Sequence, residues 1–319
     1  VTYADNRELR KKMAIAFGAK GFQNNEFDNQ EIVLKIAKLR FDRAQVLGYA
    51  THAHFVLEER MAESPEKVKT FSNDLLAKAK PAAEREFSQL TAFAKELNGI
   101  DQLQKWDGAY YSEKLKQQLF NLDDEILKPY FQLEKVLDGA FVVAQKLFGI
   151  TFEETFEVDK YHEEVKTYEV KDEDDQLLAI FYADFFPRKG KRNGAWMTSF
   201  KSQYIKKGIN ERPHISIVCN FTKPTETKPS LLTFNEVTTL FHEFGHALHG
   251  MLANTTYPSL SGTSVYWDFV ELPSQILENW CYEPEALALF AYHYQTGEMI
   301  PMELVHKIKE SASFQEGMA

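Results

Sequence analysis

Cys219 and Cys281 are the only thiols in 319 residues. Two cysteines exclude a disulfide-stapled fold and point to a reducing compartment. Cationic residues are also in deficit. There are 37 Lys and Arg against 47 Asp and Glu, a formal charge of −10. That balance argues against a nucleic-acid partner and suits cationic peptides, although a net figure does not say where the charge sits. No apolar run is long enough to span a bilayer, so no membrane partner is expected. The chain opens at Val1-Thr2-Tyr3 without an initiator Met or a signal peptide. With the native N-terminus not in view, that opening decides nothing about export. The two thiols make a cytoplasmic location the expectation, with a periplasmic one left open, and a monomer is expected.

With 44% hydrophobic residues the chain can bury a substantial core in one or two parts. From Arg7 to about Gly149 the reading is helix after helix. Ile32, Ile36 and Leu39 recur at helical spacing behind Asp28, Ser64-Pro65 reads as a cap followed by a first-turn proline, and Asn98-Gly99 marks a break. Phe131, Val136, Leu137, Phe141 and Ala144 read as core. Lys166 to Asp175, rich in charge, reads as a solvated turn. His52 and His54 are two apart and would point apart on a helix, which argues against a shared metal. After Asp175 the period shortens: Leu177 to Tyr182 and Ile215 to Cys219 read as strands, with Gly194 to Met197 between them. The fold predicted is mainly α, with a small β-sheet beside an active-site helix. It is divided into a helical region over 1–175 and a sheet with catalytic helices over 176–319.

The most informative run is His242-Glu243-Phe244-Gly245-His246. Residues i and i+4 share a helix face, so the two imidazoles converge on one ion while Glu243 stands beside it as a base. Thr233 and Glu236 form a capping-box pair that would start this helix. Val237, Leu240, Phe241, Phe244, Ala247, Leu248 and Met251 make a broad apolar surface, so the helix is largely buried. A third histidine six residues after His246 is excluded, because Leu252 stands there and His249 occupies the position of the required glycine. The remaining solution is a later carboxylate, either Asp268 or Glu271. Glu271 is preferred, with Asp268 as the N-cap of its helix, although Pro273 blurs that start. Ala195 and Trp196 are candidates for an edge strand that binds an extended peptide through its main chain. Glu236 and Glu278 are candidate partners for the ligand imidazoles. Arg188, Lys189, Lys191 and Arg192 offer charge for a substrate carboxylate, though a solvated basic loop is the simpler reading.

The chain resembles the thimet oligopeptidase and peptidyl-dipeptidase family, and within it the dipeptidyl carboxypeptidase branch. The resemblance rests on Leu240 to Gly250, on Asp268 to Gln275 with Glu278-Asn279-Trp280, and on Gly190 to Met197. Upstream it rests on Tyr110 to Lys114 and Tyr130 to Leu133. It implies one Zn2+ per chain held by His242, His246 and Glu271, with Glu243 as general base. It also implies hydrolysis of oligopeptides by a zinc-activated water, releasing C-terminal dipeptides, with internal cleavage as the alternative. Members of that family are longer, and a later region supplies further transition-state contacts. The chain is accordingly expected to be a fragment of such an enzyme, one that binds zinc yet is catalytically incomplete alone.

Overall fold

The structure is a computed structural model, and it describes residues 1–122 and 124–318. Two compact units emerge, Val1–Asn121 with Glu310–Ala319, and Leu122–Lys309. The fold is mainly α with one small mixed sheet.

The first unit contains α1 (Arg7–Gly18), α2 (Gln30–Val46), α3 (His52–Leu57), α4 (Pro65–Asn98) and α5 (Gly108–Phe120). Ser64 caps α4, its hydroxyl accepting the Lys67 N–H at 3.3 Å, with Pro65 in the first turn. Gly99 ends the helix at φ 68°, a left-handed conformation that costs glycine no Cβ strain. Asn29 holds the N-cap position of α2 without a side-chain cap bond, and Asp28, one residue further out, accepts the Gln30 N–H at 2.9 Å. Its stripe of Ile32, Ile36 and Leu39 is exposed. The core of this unit is instead Leu90, Phe93, Ala94, Tyr110, Tyr111 and Leu115. Beside it a buried Asp107 accepts from both Arg7 and Arg10, which ties α1 to the start of α5.

The second unit begins with α6 (Asp124–Leu127) and α7 (Leu133–Phe148). The strands follow: β1 (Thr151–Glu154), β2 (Lys166–Lys171), β3 (Leu177–Asp184), β4 (Trp196–Lys201), β5 (Tyr204–Lys206), β6 (Ile209–Glu211) and β7 (His214–Val218). Then come α8 (Phe234–Met251), α9 (Glu271–Glu278), α10 (Pro284–Phe290) and α11 (Met302–Ala312), the last of which runs past the end of this unit at Lys309. The main sheet runs β1-β2-β3-β7-β4, antiparallel except for the parallel pair β3 and β7, while β5 and β6 form a separate hairpin.

The segment read as a solvated turn at Lys166 to Asp175 is mostly strand β2. Thr167, Tyr168 and Val170 are buried, whereas Lys166 and Lys171 reach across to Glu154 and Glu153 on β1. Cross-strand ion pairs give this strand its charge, so charge density was a poor guide to it. Only Asp172 to Asp175 turn, with Asp175 at φ 60°. On one sheet face Phe181 and Phe152 pack with Phe141 of α7 and Phe244 of α8, the Phe141 and Phe152 rings stacking at 4.1 Å. The same aromatic cluster buries the apolar side of α8 and leaves its histidine side toward the β4 edge.

Candidate metal centre

α8 starts as its sequence predicts. The Thr233 hydroxyl accepts the Glu236 N–H at 3.1 Å and the Glu236 carboxylate accepts the Thr233 N–H at 2.8 Å. Glu236 is therefore committed to the cap, and of the two candidate partners it is Glu278 that meets an imidazole, its Oε1 lying 2.6 Å from His242 Nδ1. The predicted apolar side of α8 is buried throughout.

His242 and His246 stand one turn apart with ring centroids 4.9 Å from each other. Glu271 Oε2 lies 3.2 Å from His242 Nε2 and 3.1 Å from His246 Nε2. Glu271 is the first residue of α9, whose N-cap is Val270 and not Asp268. Asp268 falls in the turn ahead of the helix, and Pro273 sits in the first turn, where a missing N–H costs nothing. Among the described residues, the group whose donor atoms all lie within 4.8 Å of one another is His242, His246 and Glu271.

Gly245 makes this convergence possible. A Cβ there would lie 2.6 Å from Ser274 Cα and 2.7 Å from the Pro273 carbonyl, so α8 and α9 touch backbone to backbone. Ser274, fully buried at the same contact, places its hydroxyl 2.9 Å from Glu271 Oε2 and thereby orients the carboxylate. Neither role was visible in the sequence, because both depend on which helix lies opposite.

The protonation pattern tests whether a metal fits. His242 faces a carboxylate at each ring nitrogen, Glu278 at Nδ1 and Glu271 at Nε2. With Nδ1 donating to Glu278, the Nε2 lone pair is turned toward the Glu271 oxygen, the arrangement in which an imidazole holds a metal. His246 faces the same Glu271 oxygen, while burial lowers its pKa and disfavours the imidazolium, against the opposing pull of Glu271. A divalent cation would be held there by the two Nε2 atoms and the carboxylate, and two imidazoles with one carboxylate are a catalytic zinc donor set. Glu243 is 6% exposed on the same side of α8. Burial raises its carboxyl to about 7, His242 pulls it down and Glu271 pushes it up.

Two depressions flank these residues. One, of about 400 Å³, is lined by Ala195, Trp196, Met197 and Thr263 together with the three donors and Glu243. The other, of about 340 Å³, is lined by Asn235, Thr238 and Thr239 with His242, Glu243 and Glu278. β4 is an edge strand of the main sheet, so one side of its ladder is unpaired within the sheet.

Residues 1–319 match the model of peptidase family M3. The chain belongs to that family. It is 44% identical to oligopeptidase A of Salmonella typhimurium and of Escherichia coli, over all of this chain and 48% of each relative. It is 39% identical to dipeptidyl carboxypeptidase of Escherichia coli, over 98% of this chain and 46% of that relative. The chain thus spans about half the length of the curated relatives it matches.

Proposed function

We propose that this M3 protein is a zinc-dependent peptidase acting on oligopeptides, with Glu243 as general base. The observation that carries the reading is the convergence of His242 Nε2, His246 Nε2 and Glu271 Oε2 on the side of α8 that also bears Glu243. Zinc bound there would supply Lewis acidity, polarising the scissile carbonyl and making an attacking water acidic.

The remaining work falls to the chain's own side chains. Glu243 takes the proton of the attacking water and passes it to the leaving nitrogen, and its partly desolvated carboxylate is a stronger base than an exposed glutamate. Glu278 accepts from His242 Nδ1, which leaves the Nε2 lone pair facing the metal position. The outer edge of β4 at Ala195 and Trp196 borders the same depression, where main-chain groups can pair with an extended peptide whatever its side chains.

Internal cleavage is favoured over the C-terminal dipeptide release first expected, because identity is higher to relatives named oligopeptidase A than to those named dipeptidyl carboxypeptidase. Peptides with free and with amidated C-termini, analysed by mass spectrometry in the zinc-loaded full-length protein, test both levels of the reading. Cleavage of both at the same internal bond supports it. Loss of dipeptides from the free form alone would replace internal cleavage with dipeptide release, and no zinc-dependent cleavage would refute the peptidase reading.

A further inference from the structure

The loop joining β3 to β4, Phe185 to Ala195, carries the basic run that read as solvated. It is tied down. Asp184, 2% exposed at the end of β3, accepts both guanidinium nitrogens of Arg188 at 2.7 and 2.8 Å, the Lys191 ammonium at 2.8 Å and the Tyr161 hydroxyl at 2.9 Å. Lys191 donates again to the Phe186 carbonyl at 2.8 Å, and the Arg192 guanidinium lies 4.6 Å over the Trp196 ring.

The last anchor is closest to the edge strand. Asn220, just beyond β7, donates through Nδ2 to the Arg192 carbonyl at 2.9 Å and to the Gly194 carbonyl at 2.7 Å. One amide therefore spans Asn193 and holds the carbonyls on either side of it, the second of which immediately precedes Ala195. Gly194 adopts φ 99°, so this bend has a backbone that other residues rarely take. The Asn220 Oδ1 is buried and lacks a hydrogen-bond partner among the described residues.

The pairing of β4 with β7 begins at Trp196 opposite Val218, so Ala195 lies outside the ladder. Its orientation depends on the loop, and in a strand a rotation by one residue exchanges the groups on the two sides. We infer that Asn220 is a positioning residue for substrate, one that pins the Arg192 and Gly194 carbonyls and so sets how Ala195 and Trp196 present their main chain beside the metal centre. The inference rests on the peptidase reading and takes its ligand class from it, an oligopeptide bound in extended form.

The test uses Asn220→Ala and Asn220→Asp in the full-length, zinc-loaded protein, with peptides lengthened one residue at a time at either end. The expected result is a KM raised on the order of tenfold for peptides long enough to reach the strand, the effect of one or two main-chain hydrogen bonds. The shortest cleaved peptide should be little affected, zinc content and melting temperature should hold, and Asn220→Asp, which cannot donate to the two carbonyls, should be at least as impaired as Asn220→Ala. A loss equal at all lengths, or one that follows a lowered melting temperature, overturns the inference and leaves the peptidase reading standing. A parent protein that cleaves no peptide overturns both.

Discussion

Glu243 combines deep burial with the proposed role of general base, which requires its charge. In Glu243→Gln the proton acceptor is gone while both imidazoles remain, so zinc content should be unchanged and turnover should fall by about a hundredfold or more. Metal analysis beside a peptide assay checks this. The metal-free protein should also report the carboxylate through its stability. Its folded pKa, about 7, lies above the ordinary 4.5, so the folded state holds the proton more tightly. That contribution is present below 4.5 and is lost as pH rises through about 7, amounting to roughly 3 kcal/mol at 1.36 kcal/mol per unit. Denaturant unfolding of chelator-treated protein at pH 5 and pH 8 should show this loss, and Glu243→Gln should remove most of it. Removing the Glu278 carboxylate as Glu278→Gln should weaken zinc by about tenfold to a hundredfold, read by competition with a chelator.

At the scale of elements, the site depends on how closely two helices approach. Gly245→Ala would place a methyl 2.6 Å from Ser274 Cα, so α9 must retreat and carry Glu271 away from the histidines. The predicted outcome is weaker zinc together with a stability loss of about 1–3 kcal/mol. Chelator competition and denaturant unfolding check the two parts. What was legible in the sequence follows the same line. α8 could be read from its own residues because cap, apolar side and both histidines all lie on one segment. The start of α9 could not, since Asp268 looks like a cap and only the three-dimensional structure assigns that place to Val270. β2 was missed because its charges are neutralised across the ladder by β1, a partner remote from its own sequence. The Asn220 anchor carried no local signal at all, being one asparagine after a strand.

For the whole molecule, all three donors, Glu243 and the β4 edge belong to Leu122–Lys309. Zinc binding should therefore need no group from Val1–Asn121, even though the family match runs through it. No helix among the described residues is long and apolar enough to cross a membrane, and Cys219 and Cys281 are buried free thiols. Metal content tests the account most directly: zinc per chain in protein purified without chelator, compared with Glu271→Ala and Asp268→Ala. One zinc per chain, lost or much weakened in Glu271→Ala and retained in Asp268→Ala, is the predicted result. Absence of stoichiometric zinc from the unmodified protein, or its retention at full affinity in Glu271→Ala, would contradict the site as described.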